Sequence, residues 1–348
     1  LDLSAVTADL TIAVHAAGAV SISDGTSAVN NIAGVDNIVG GSGTNTYTFE
    51  DGAALAGTIS GGSNVLNYAA STSAIAVDLG AGTASGTGGI AGVTSIIGSG
   101  GSDTLTGPAA DASWSISGTN SGSVNGVSFS GIENLAGGSG ADTFAFAGGT
   151  AASVAGGDGD DYVTGVLDAT VLDLGLGSDT LDLSSDTGDV TVTVSSDGSV
   201  GIDDGTVNIE GITGADNVLG TSGTNTYVFA AGAALAGSVN GSRVILDYSN
   251  YTSAVTVDLT TGSATGTGGV DNVVEFIGGD GADTLVGPAN DATWRLDAAD
   301  SGEVNGVTFV GVEHLTGGDG DDTFVVAPGV TPAGVLSGGA GTDVVDYS

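Results

Sequence analysis

The chain repeats itself over roughly half its length, and that repeat constrains its fold more than any single motif. "GSDTLTGPAADASWSI" from Gly101 returns as "GADTLVGPANDATWRL" from Gly281. "GSGTNTYTF" at Gly41 returns as "TSGTNTYVF" at Thr221, and "GSVNGVSFSGIENLAGGSGADTF" at Gly122 returns as "GEVNGVTFVGVEHLTGGDGDDTF" at Gly302. All three pairs share one offset. "LDLS" at Leu1 recurs at Leu181, and "VDYS" at Val345–Ser348 stands in the same phase again. This gives two units, 1–180 and 181–344, with 345–348 beginning a third. The second unit is shorter by about one coil, and the missing part falls around Val163–Ser178. A stack of similar coils tolerates such a loss without losing phase, because each coil contacts only its neighbours.

Inside a unit the apolar runs are short. "AIAVDL", "VTVTV", "SVNGVSF" and "DTFAF" alternate apolar residues with Thr, Ser, Asp or Asn. That period of two belongs to a strand with one buried face. No stretch sustains the period of a helix. Gly-rich turns centred on Asp142, Asp161 and Asp179 follow one another at nearly equal spacing, and Asp322 and Asp343 stand at a similar one. Together these features predict an all-β chain, a right-handed parallel β-solenoid (β-helix or β-roll) with coils of about 18–21 residues. The handedness follows from the crossover rule for parallel strands.

Composition narrows the chemistry. Forty-one acidic residues stand against two arginines, a formal net charge of −39, and there is no cysteine, methionine or lysine. Disulfides, thiolate metal sites and Schiff-base lysines are therefore excluded. The negative field repels nucleic acid and anionic membranes and attracts cations. No apolar run approaches the ~18–20 residues of a membrane helix. Neither a nucleic-acid partner nor membrane insertion is expected. With 40% hydrophobic and only 12% charged residues, the chain is no disordered acidic tail.

The turns follow G-G-x-G-x-D-x-U, where U is a large apolar residue. They read "GGSGADTFA" at Gly137, "GGDGDDYVT" at Gly156, "GGDGADTLV" at Gly278, "GGDGDDTFV" at Gly317 and "GGAGTDVVD" at Gly338, with looser forms at Gly98 and Leu174. This pattern resembles the hemolysin-type, or RTX, calcium-binding repeat of bacterial secreted proteins and giant adhesins. The resemblance implies a parallel β-roll with Ca2+ between adjacent turns, held by the sixth-position aspartate and by backbone carbonyls. Carried over, those aspartates are Asp103, Asp142, Asp161, Asp179, Asp283, Asp322 and Asp343. Stacked aspartates ~5 Å apart repel one another, and a cation between coils removes that cost. The chain departs from the family in having at most one such turn per coil. At Gly40 and Gly220 the sixth residue is Asn45 or Asn225, which predicts neutral amide ladders instead.

The expected role is a structural section of a long extracellular protein at the bacterial cell surface, such as an adhesin stalk, filament or surface-layer component. Neighbouring copies or cell-surface glycans are the expected partners besides Ca2+. Enzymatic activity is not expected. The four basic residues, His15, Arg243, Arg295 and His314, have Ser195, Ser63, Ser115 and Asn134 as their counterparts in the other unit. The sequence shows no Ser-His-Asp arrangement, phosphate loop or zinc spacing. An alternative is a carbohydrate- or partner-binding module presenting Trp114 and Trp294, which open matching "WSI" and "WRL" strands.

Overall fold

The computed structural model describes residues 1–165 and 167–347. Val166, in the segment that the second unit lacks, and Ser348, which ends 345–348, lie outside them. All helical or strand structure among the described residues is β, in short strands paired mostly in parallel. The predicted all-β class with parallel sheets is present. The chain divides into two compact units, Leu1–Gly177 and Ser178–Ser348.

In the first unit, Leu10–Val14, Thr44–Phe49, Ser63–Asn67, Val93–Ile97 and Val127–Ser130 pair in that order, each parallel to the next. A second sheet takes Ala76–Asp78, Thr104–Thr106, Asn134–Gly138, Ala151–Asp158 and Ala169–Leu176. Between Ser63–Asn67 and Asn134–Gly138 the named strands of the two sheets alternate along the chain. The second unit repeats this with Val190–Val194, Thr224–Phe229, Arg243–Asp247, Val273–Ile277 and Val307–Val310 in one sheet. Thr256–Asp258, Thr284–Val286, His314–Gly318 and Leu336–Gly339 form another.

Register puts like with like. Ile12, Tyr47, Leu66, Ile96 and Phe129 are successive cross-strand partners, and none is more than 3% exposed. Their counterparts Val192, Tyr227, Leu246, Phe276 and Phe309 form the same row in the second unit, at 1% or less. A one-residue slip would turn the whole row to solvent, which pins the pairing. Trp114 stacks on Phe144 at 5.3 Å between ring centroids, and Trp294 stacks on Phe324 at 5.4 Å.

Antiparallel excursions interrupt the parallel stack. "SVNGVSF" is not one strand. It is a hairpin of Ser121–Val124 and Val127–Ser130, closed by Asn125 and Gly126 at φ 45° and 85°. Asn305 and Gly306 close its counterpart at 46° and 89°. Two central residues at positive φ define the tight turn that Asn-Gly favours, because its twist matches the flanking strands.

Candidate metal centre

Alternation decides where the turn aspartates point. In "ADTFAF", Phe144 and Phe146 face the core, and Asp142 precedes them on the same side. Asp103, Asp142, Asp161, Asp179, Asp283 and Asp322 are all 0–1% exposed, while Asp343 is partly exposed. A buried carboxylate must be hydrogen-bonded, paired or protonated.

Backbone N–H groups of neighbouring coils meet the Oδ1 atoms. Ile75 donates to Asp103 at 2.8 Å, Ala112 to Asp142 at 2.7 Å, Val255 to Asp283 at 2.8 Å and Ala292 to Asp322 at 2.8 Å. The aspartates' own N–H groups continue the chain of bonds. Asp142 donates to Asp161 Oδ1 at 2.7 Å and Asp322 to Asp343 Oδ1 at 2.9 Å. Asp103 and Asp283 donate to Glu133 and Glu313 at 2.9 and 2.8 Å, and Asp179 to Asp216 Oδ2 at 2.9 Å. Glu133, Glu313 and Asp216 are thus part of the site although the turn pattern does not contain them. The repeated "IEN" and "VEH" tripeptides were the available signal for the two glutamates.

The second carboxylate oxygen separates two kinds of turn. At Asp103 and Asp283 it is satisfied by the turn itself, through the N–H of Ser99 and of Gly279. At Asp142 and Asp322, Oδ2 is buried without a hydrogen-bond partner. Each of these two oxygens lies against a glycine and the carbonyl of the following coil. A Cβ added to Gly137 would land on both Asp142 Oδ2 and the Gly156 carbonyl oxygen, and one on Gly317 would meet Asp322 Oδ2 and the Gly338 carbonyl. Two electron-rich oxygens border one place there, as Asp103 Oδ2 and the Gly131 carbonyl do at Gly98 and Asp283 Oδ2 and the Gly311 carbonyl do at Gly278, so the missing N–H donor is what sets Asp142 and Asp322 apart.

Burial holds the Asp142 carboxyl above the usual carboxylate range, against the pull of the Ala112 N–H, and the charge of Asp111 adds to the rise. Asp322 is raised by burial and by Asp343, Asp291 and Asp321, against the Ala292 N–H. The asparagine turns solve the same problem with an amide. Asn45 accepts from Gly41 N–H at 2.8 Å, and its Nδ2 donates to the Gly41 carbonyl and to Asn64 Oδ1 at 3.1 and 3.3 Å. Asn225 accepts from Thr221 N–H and donates to the carbonyls of Thr221, Gly223 and Arg243. The predicted amide ladder is present at Asn45 and Asn64, but not at Asn225, whose cross-strand partner is Val244 and whose amide bonds only to backbone.

A hard cation suits an unpaired carboxylate oxygen beside a carbonyl. Among the described residues, no three carboxylate or imidazole side chains gather at one point. A cation at Asp142 or Asp322 would take most of its ligands from backbone carbonyls, as the Gly-rich turns allow.

The tryptophans do not present a binding platform. Trp114 is 1% exposed and Trp294 is 0%, each against Phe129 or Phe309 as well as its stacked phenylalanine. The expectation that they contact a ligand fails because alternation turns both indoles inward. No family model matches the chain, and no curated protein matches it.

Proposed function

We propose that this chain is a structural section of a long extracellular bacterial surface protein. Each unit is a right-handed parallel β-solenoid, stiffened by Ca2+ at the Gly/Asp turns. The observation that carries the calcium reading is the unpartnered, buried Oδ2 of Asp142 and of Asp322, each against the carbonyl of the next coil. These two aspartates occupy matching positions in the two units. Asp161, Asp179 and Asp343 continue the metal-binding turns, whereas the satisfied carboxylates of Asp103 and Asp283 serve as closed caps.

Support for a structural role lies in where the recurring residues sit. The aromatic and aliphatic rows shared by the units are spent on the core, and successive strands pair in parallel one coil apart. Support for an extracellular site is the charge, which draws in divalent cations, and the near absence of tryptic cleavage points. Neighbouring copies or surface glycans are the proposed partners.

Thermal melting of the whole chain in chelator and in millimolar calcium tests this reading. A higher melting temperature in calcium, reduced by Asp142→Asn and Asp322→Asn, supports it. Identical melting in both solutions sinks the calcium role.

A further inference from the structure

Three polar side chains in the first unit form a continuous hydrogen-bonded relay. His15 Nδ1 lies 2.8 Å from Glu50 Oε1, and His15 Nε2 lies 2.8 Å from Ser21 Oγ. An ionised carboxylate only accepts, so Nδ1 carries the proton and Nε2 is free to accept from the Ser21 hydroxyl. Hydrogen bonds from His15 and from the Ala16 N–H hold the Glu50 carboxyl below its usual range, so it is ionised. The Ala16 bond, at 3.2 Å, also fixes the carboxylate that orients the imidazole.

The fold brings the three together from separate segments. Ser21 pairs with Ala13 across the antiparallel hairpin, and His15 follows Ala13 by two on the same face. Glu50 follows Phe49, the parallel partner of Val14. A bulge in the adjoining strand sets Asn31 at φ 55°, where its N–H donates to Ser21 Oγ at 3.1 Å. Ser21 is half-buried, and the His15 and Glu50 side chains are 27% and 50% exposed, so a solute can reach them.

The second unit shows that the hairpin does not need this relay. The same register there pairs Thr193 with Gly201, and the bulge is kept. The three positions are occupied by Ser195, Gly201 and Ala230. In place of the imidazole there is an open groove of about 360 Å³, lined among others by Thr193, Ser195, Gly201 and Glu210. All members of the relay are present in one unit and all are absent from the other.

We propose that Ser21, His15 and Glu50 form a hydrolytic site for neutral or cationic carboxylic esters. Ser21 Oγ attacks the ester carbonyl carbon while His15 Nε2 takes the hydroxyl proton. The tetrahedral adduct collapses, breaking the bond to the alcohol oxygen, and the alcohol leaves with the proton from His15. Water then attacks the acyl-serine, again giving its proton to Nε2. Cleavage of the Ser21 ester returns that proton to Oγ and releases the carboxylic acid. Glu50 stays ionised throughout and stabilises the imidazolium. The Asn31 N–H, donating to Ser21 Oγ at 3.1 Å, positions the nucleophile beside the imidazole. The strong negative charge disfavours anionic esters.

The test uses the whole chain with p-nitrophenyl acetate and a fluorophosphonate reagent. The variants carry the residues of the second unit, His15→Ser, Ser21→Gly and Glu50→Ala, which this hairpin accommodates. The expected results are a fluorophosphonate adduct on Ser21 and ester turnover abolished in Ser21→Gly. In His15→Ser turnover should fall by about 10²–10⁴-fold. Wild-type turnover in Ser21→Gly, or no adduct on Ser21 in the folded wild-type chain, would overturn the proposal. These outcomes do not depend on calcium.

Discussion

The backbone N–H of Asp322 donates to Oδ1 of Asp343 at 2.9 Å, one coil further along. Asp142 and Asp161 repeat the relationship in the first unit at 2.7 Å. A side chain of one coil thereby ties down the backbone of the previous one. The arrangement leaves the Oδ2 of the donor residue facing a carbonyl rather than a donor.

Asp142→Asn and Asp322→Asn are expected to have opposite effects in the two solutions. The amide should donate to a carbonyl of its own turn, as Asn45 does to Gly41 and Asn225 to Thr221, so in chelator the variants should melt no lower than wild type. In calcium they should lose most of the stabilisation that the ion provides. Calcium at about 100 times its Kd adds ~2.7 kcal/mol per site. Calorimetry with and without chelator reads both effects.

The pH dependence follows from the raised carboxyls of Asp142 and Asp322. A folded-state value above the unfolded one contributes stability below the unfolded value, near 3.9, and that stability is lost as pH rises through the folded value. In chelator, melting temperature should therefore fall from mildly acidic to neutral pH, and the double Asp→Asn variant should flatten this part of the curve. The exposed carboxyls of Asp24, Asp51 and Asp197 are lowered chiefly by hydrogen bonds from Ser27, Ser71 and Ser199 respectively. Their contribution has the opposite sign and disappears as pH falls through their depressed values. A stability maximum on the acid side is the expected result of a thermal-melt series.

Gly137→Ala should destabilise the first unit by roughly 1–3 kcal/mol, because the added methyl meets a carboxylate and a backbone carbonyl that cannot both withdraw. Gly188→Ala is the control. There the nearest atom to the added methyl is Asp186 Oδ1 at 3.7 Å. Urea unfolding should separate the two variants clearly.

Trp114→Ala should cost about 3–5 kcal/mol through the cavity it leaves beside Phe144 and Phe129. In the wild-type chain, acrylamide should quench both indoles weakly, and added oligosaccharides should leave their emission unchanged. Strong quenching would contradict the burial of both rings.

The sequence by itself determined the period, the alternation and the places where the chain turns. Repetition of one unit by the other implied the matching rows from Ile12 to Phe129 and from Val192 to Phe309, because register follows the buried face. The amide ladder was legible from Asn45, whereas Asn225 meets Val244 and bonds only to backbone. The Asn125–Gly126 hairpin was also written in the sequence, as an Asn-Gly pair between apolar residues. Alternation alone makes that stretch a single strand, and the Asn-Gly turn chemistry overrides it.

Tertiary structure alone decided the rest. Alternation placed the turn aspartates on the core side, but which carboxylate oxygens are satisfied depends on how each turn folds back on its own aspartate as well as on the strand beside it. Ser99 and Gly279 close two turns, and the lack of an N–H donor to Oδ2 leaves those of Asp142 and Asp322 open. Glu133 and Glu313 joined the site from 30 residues further along the chain. His15 met Ser21 and Glu50 across two different strand pairings, one antiparallel and one parallel. Such meetings depend on which strands become neighbours in the sheet, which local spacing does not encode.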